Sequence, residues 1–148
     1  MIGYVTIGTD DLDRARSFYD ALLGTIGAKR VMQFADEDGG FTMYGVSRDR
    51  PAIVVTRPYD KQPAHHGNGN MVAIVVDGRD KVDAFHAKAL ELGGTDEGAP
   101  GLRGPEGERA FYGAYFRDPE GNKFCAFRMG PAEPRPAAEA MPSTPTAV

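Results

Sequence analysis

The 148-residue chain is short of the features that would settle its class at once. It has one cysteine, which excludes an internal disulfide framework and a thiolate-only zinc site. It has no long hydrophobic run. The run Val72 to Val76 is far too short to cross a bilayer, and Met1-Ile2-Gly3 opens no charged signal-peptide region. It has no excess of positive charge: the net charge is −4, so no basic face invites a nucleic-acid backbone. Its length suits one domain rather than two. These absences leave a soluble, cytoplasmic, single-domain protein with no nucleic-acid or membrane partner as the expectation.

A repeat is the first thing present. Aligning Val5-Thr6-Ile7 with Val72-Ala73-Ile74, an offset of 67, matches seven of 23 positions: Val5/Val72, Ile7/Ile74, Asp10/Asp77, Asp13/Asp80, Phe18/Phe85, Leu23/Leu90 and Gly27/Gly94. Chance supplies one or two at typical residue frequencies of about 5–9%. The matches fall where a strand-then-helix unit needs them. Val5 and Ile7, then Val72, Ile74 and Val76, are β-branched at period 2 and share one strand face. Asp10 or Asp11, and Asp77, stand where a carboxylate caps a starting helix. Ala15, Phe18 and Leu22 recur at helical spacing, as do Val82, Phe85, Ala89 and Leu92. Gly27 and Gly93-Gly94 lie where left-handed helix termination is cheapest.

Strand patterns follow each helix. In the first half, residues 28–34 and 41–46 flank Asp36-Glu37-Asp38-Gly39-Gly40, a hairpin-turn composition, and a third run covers 51–56. That acidic turn is no calcium loop, because Gly45 stands where the closing Glu is required. In the second half, residues 110–116 and 123–128 flank Asp118-Pro119-Glu120-Gly121-Asn122, where proline presets the turn and glycine closes it. Residues 95–109, with four glycines and two prolines, read as a long loop with one short strand; no helix follows them, so they are no phosphate cradle. The expected organisation is one domain over 1–130, with module one at 1–57, a linker at 58–68 and module two at 69–129. The Pro/Ala-rich tail 131–148 stays off the core.

A tandem β-α-β-β-β repeat that closes on Asp118-Pro119-Glu120-Gly121-Asn122 resembles the vicinal oxygen chelate superfamily. The segments Asp10-Asp11-Leu12 through Phe18-Tyr19, Val82-Asp83-Ala84-Phe85-His86 and Phe116-Arg117 through Lys123 look most like its small bacterial branch of glyoxalase/bleomycin resistance/dioxygenase-like proteins. The resemblance implies an α+β fold of two βαβββ modules whose curled mixed sheets form a cup, and a homodimer. It also implies a divalent metal (Zn, Ni, Mn or Fe) held by His or Glu on the first and last strands of each module. Carried over by position, the first-strand sites fall on Tyr4 and Met71 and the module-two last-strand site on Cys125. The module-one counterpart lies within 53–56, where no residue is a usual ligand. Tyrosine, methionine and cysteine are not the hard-oxygen and imidazole set that such a metal prefers.

Strand alternation sketches the cup floor. If the turn places Arg117 opposite Lys123, Tyr115 pairs with Cys125 and Gly113 with Phe127, while Phe116 and Phe124 pack under the helices. The floor then comprises Tyr4, Thr6, Met71, Ala73, Tyr115, Cys125 and Phe127, an apolar and aromatic lining suited to an organic ligand. Tyr4 and Tyr115 either donate a hydrogen bond to that ligand or fill space. Cys125 reads as a small buried residue or a nucleophile; no His is placed beside it. His65-His66 read as solvated linker or as metal ligands, and His86 as a surface or edge residue. Two functions follow: a small-molecule binding protein of the bleomycin-resistance kind without cofactor, or a divalent-metal-dependent glyoxalase-type lyase, isomerase or dioxygenase.

Overall fold

The computed structural model describes residues 1–133; the expected tail lies outside them from 134 onward. In module one, β1 (Tyr4–Gly8) leads into α1 (Leu12–Gly24), followed by β2 (Lys29–Gln33), β3 (Thr42–Gly45) and β4 (Ala52–Thr56). Module two repeats the order with β5 (Val72–Val75), α2 (Arg79–Glu91), β6 (Thr95–Leu102), β7 (Phe111–Arg117) and β8 (Lys123–Met129). The sheets run β1-β4-β3-β2 and β5-β8-β7-β6. In each, the first and last strands of the module pair in parallel and the remaining neighbours antiparallel. The architecture is α+β, two βαβββ modules. Among the described residues no helix is long and apolar enough to cross a membrane.

Local chemistry explains most of the boundaries. The Asp11 carboxylate accepts the Arg14 N–H at 3.0 Å and caps α1, as a short acidic side chain at that position should. The second cap departs from expectation. Gly78 rather than Asp77 precedes α2, and no side chain caps it; the Gly78 carbonyl takes the first backbone bonds instead. Each helix buries its apolar stripe, led by Phe18 and Leu22 in α1 and by Val82, Phe85 and Ala89 in α2. Gly27 and Gly93 then turn the chain at φ 80° and 100°, where a side chain would be strained.

Residues 95–102 form an eight-residue strand where a long loop with one short strand was expected. Its pairing with β7 breaks register between Asp96 and Gly98 and again between Gly98 and Gly101. Glycine and proline at these bulges gave the segment its loop-like composition. The β7–β8 register is the one alternation suggested, with Arg117 opposite Lys123 and Tyr115 opposite Cys125. Phe116 and Phe124 are accordingly fully buried on the helix side, stacked at 5.4 Å.

The helix sides of both sheets share one core, in which Tyr19 of α1 lies 5.9 Å from Phe124 of β8. Among the described elements, only α1 and α2 bring their backbones together across the modules; no strand of one sheet lies beside a strand of the other. The joint is made instead by the turn at 118–122. Buried Asp118 accepts hydrogen bonds from the Tyr19 hydroxyl, from the backbone N–H groups of Glu120 (2.9 Å) and Asn122 (2.8 Å), and from Asn122 Nδ2 (2.9 Å). Asn122 Nδ2 also reaches the Gly8 carbonyl at 3.3 Å. Glu120 Oε1 receives Thr9 Oγ1 at 2.5 Å, Arg14 Nη2 at 3.0 Å and the Asp10 N–H at 3.3 Å. Burial, followed by the Asp118 charge and hydrogen bond, pushes the Tyr19 phenol well above its usual range, so it remains a donor.

At Glu120, burial pushes the carboxyl up, but the Thr9 and Arg14 hydrogen bonds outweigh it and hold the group below its ordinary value. Its stabilising contribution is therefore complete above the unfolded value of 4.5 and fades as pH falls through the lower folded value. Urea unfolding should show Glu120→Gln less stable at pH 7 by about 1 kcal/mol, with a smaller loss between pH 5 and pH 3. Matching pH profiles for the two proteins would remove Glu120 from the joint.

Candidate functional site

The face of each sheet turned away from the helices is open and carries the expected site residues in two groups. On module one, Tyr4 is 53% exposed and packs edge-on to Phe41 at 6.0 Å, while Phe34 stacks on Phe41 at 5.1 Å. Thr6 lines an adjoining cleft of about 990 Å³ with Phe34, Phe41, Tyr59 and the acidic turn at 36–38. Sequence reasoning missed what holds that turn. Arg16 runs from α1 through the interior, only 7% exposed, and its guanidinium meets Thr42 Oγ1 (3.0 Å), the Gly40 carbonyl (3.2 Å) and the Asp36 carboxylate (2.8 Å). An arginine in an apolar helix stripe was its one sequence signal.

On module two, Ala73 and Tyr115 both pair with Cys125, one from each side. Phe127 follows on the same face and stacks on Phe111 at 5.2 Å, and Met71, at the entry to β5, is 46% exposed. Tyr4 and Thr6 thus lie together, as do Met71, Ala73, Tyr115, Cys125 and Phe127. The two groups do not meet, because β1 lies beside no strand of module two.

His86, expected at the surface or an edge, lies in the interior. It is 5% exposed, and Nε2 donates toward Asp96 Oδ1 at 3.0 Å and the Tyr115 carbonyl at 3.2 Å. The formation of β6 puts Asp96 beside α2 and makes this helix flank an interior position. His65 and His66 are exposed; the His66 ring lies against Gly121 of the joint. Among the described residues no three His, Cys, Asp or Glu side chains gather into a metal-holding group.

The register completes the comparison with a chelating site. The pairing Ala73–Cys125 corresponds, 67 residues earlier, to Thr6–Val54, so the fourth position is Val54. The four positions then carry Tyr4, Val54, Met71 and Cys125, with one aliphatic and two sulfur-bearing residues. This set does not fit a hard divalent cation.

Cys125 is 1% exposed, and burial pushes its thiol up, with Tyr115, Arg103 and Lys123 opposing. Labelling with a disulfide reagent at pH 8 should be slow in the folded protein and complete on unfolding. Rapid stoichiometric labelling of the native state would restore Cys125 as a reactive group.

Comparison with known proteins agrees with this architecture. The family model for the Glyoxalase/Bleomycin resistance protein/Dioxygenase superfamily matches residues 1–126. A glyoxalase/bleomycin resistance protein from Albidiferax ferrireducens T118 is 38% identical over 86% of this chain and 97% of its own, with a TM-score of 0.70. A family enzyme from Burkholderia phytofirmans PsJN shares 21% identity over 86% of this chain and 97% of its own, with a TM-score of 0.62. A glyoxalase I variant from Zea mays shares 21% identity over 87% of this chain but only 45% of its own, with a TM-score of 0.68; at that identity the likeness is one of fold. A search of curated proteins gives no match. By the extent of the family match and the 38% identical relative, the chain belongs to the Glyoxalase/Bleomycin resistance protein/Dioxygenase superfamily.

Proposed function

We propose that the protein binds a small organic ligand on its apolar and aromatic sheet faces and does so without a divalent metal. The observation that carries this reading is the residue set at the four family chelating positions: Tyr4, Val54, Met71 and Cys125. Around them lie the rings of Phe34 and Phe41 on one face and Phe111, Tyr115 and Phe127 on the other. Apolar lining with a few hydroxyl donors is the usual composition of an organic-ligand pocket.

The complete cup requires two copies. Each face carries only part of the expected lining, and both faces leave large apolar side chains in water: Phe34 at 51% and Met32 at 41% on module one, Met71 at 46% and Val75 at 69% on module two. Grouped exposed apolar side chains of this kind mark interaction surfaces. A homodimer with module one of one copy against module two of the other covers them and joins the two parts of the lining.

Plasma mass spectrometry of the untagged protein tests the reading, before and after incubation with Ni, Zn, Mn and Fe salts and desalting. No stoichiometric metal should be retained. One equivalent of any of these ions would overturn the metal-free reading and direct work to lyase, isomerase and dioxygenase substrates.

A further inference from the structure

Module two carries a feature that an apolar cup alone does not require. β6 contributes Gly98 and Gly101 where the sheet face approaches Tyr115. A Cβ at Gly98 would stand 3.0 Å from Tyr115 Cδ2 and 3.3 Å from Arg103 Nη2, and one at Gly101 would stand 3.2 Å from Arg103 Nη1. The missing side chains let the guanidinium fold back across the strand. There Nη2 donates to the Ala99 carbonyl at 2.7 Å and the group lies over the Tyr115 ring, 5.4 Å from its centroid. Lys123, entering from β8, brings Nζ to 5.7 Å from the same centroid. Two cations therefore converge on one ring beside Cys125, next to the apolar surface of Phe127 and Phe111.

Neither cation is neutralised by an ion pair among the described residues. The acid on the neighbouring strand, Glu97, is taken by Arg117 at 2.5 Å, and Glu106 is taken by Arg79 at 2.5 Å. Glu108 lines a cleft with Arg103 and makes no ion pair with it. The positive field reaches the cup: Arg103 and Lys123 both pull the Cys125 thiol downward against its burial. Holding two like charges near one ring is unfavourable unless a counter-charge arrives. The ring partly offsets that cost through its electron-rich face, and Arg103 keeps further donors in a planar fork that matches a carboxylate.

We infer that the cup takes an organic anion, its aromatic or apolar body on Phe127 and Phe111 and its carboxylate or sulfonate between Arg103 and Lys123. This inference rests on the small-molecule reading above and adds the charge of the ligand. The substrate class is thereby narrowed to aromatic or apolar acids. Neutral molecules of the same shape should bind more weakly.

Two fluorescent dyes with one aromatic frame separate the two claims. 8-Anilinonaphthalene-1-sulfonate is anionic and N-phenyl-1-naphthylamine is neutral, and both brighten on apolar protein surface. Titration of the full chain should show the anion binding at least about tenfold more tightly, the worth of one charge-assisted contact at a partly exposed site. The double variant Arg103→Gln, Lys123→Gln should lose that preference and keep its affinity for the neutral dye, which also shows that the face is intact. The charge-matched control Arg48→Gln, Arg50→Gln, in the exposed turn before β4, should behave as wild type. Equal affinity for the two dyes, or a preference that survives Arg103→Gln, Lys123→Gln or is lost equally in the control, overturns the anion site and leaves the apolar cup standing. Failure of both dyes to bind overturns the cup itself, and the anion site with it.

Discussion

The contact on which the arrangement depends is the buried carboxylate of Asp118 with the hydroxyl of Tyr19. A carboxylate at 3% exposure is tolerable only when its oxygens are satisfied, and three further donors from its own turn complete the set. Because Tyr19 belongs to module one and the turn to module two, satisfying that charge fixes the two βαβββ units against each other. The joint lies on the helix side, where Tyr19 and Phe124 share a core. The opposite faces of both sheets are left outward and open. The position of the open sheet faces is thus a consequence of where one buried charge finds its donors.

Much of this was legible in the sequence, because it rests on periodicity. The 67-residue offset located both modules, and period-2 alternation across the turn at 118–122 gave the β7–β8 register residue for residue. What was hidden depends on long-range partners. The Asp118–Tyr19 contact spans 99 residues, and nothing local marks Asp118 as more than a turn residue. His86 looked like a surface histidine because its partners, Asp96 and the Tyr115 carbonyl, are supplied by strands distant along the chain. β6 was read as a short strand within a long loop because its glycines and proline sit at bulges, and bulge chemistry resembles turn chemistry when the partner strand is unknown. The Asp77 cap failed for a smaller reason: Gly78, already adjacent, starts α2 with backbone alone.

Placement of the site followed the same division. Alternation put the expected lining residues on the strand faces turned away from the helices, but whether Tyr4 and Thr6 face Met71 and Tyr115 within one chain is a property of the joint. One fold serves many chemistries, so the family alone decides little about reaction. The residues at the chelating positions carry more weight, and here they are an aromatic, an aliphatic and two sulfur-bearing side chains. Arg103, together with Lys123, supplies positive charge to the face. Glycines in an irregular strand make room for Arg103, a pattern visible only once β6 is known to be a strand.

The central claim is that one chain presents two half-sites that only a second copy brings together. Sedimentation equilibrium of the untagged full chain tests it most directly. The account predicts a mass twice the 15.9 kDa of the chain, persisting on dilution to micromolar concentration. A single species at 15.9 kDa at the same concentration would contradict it.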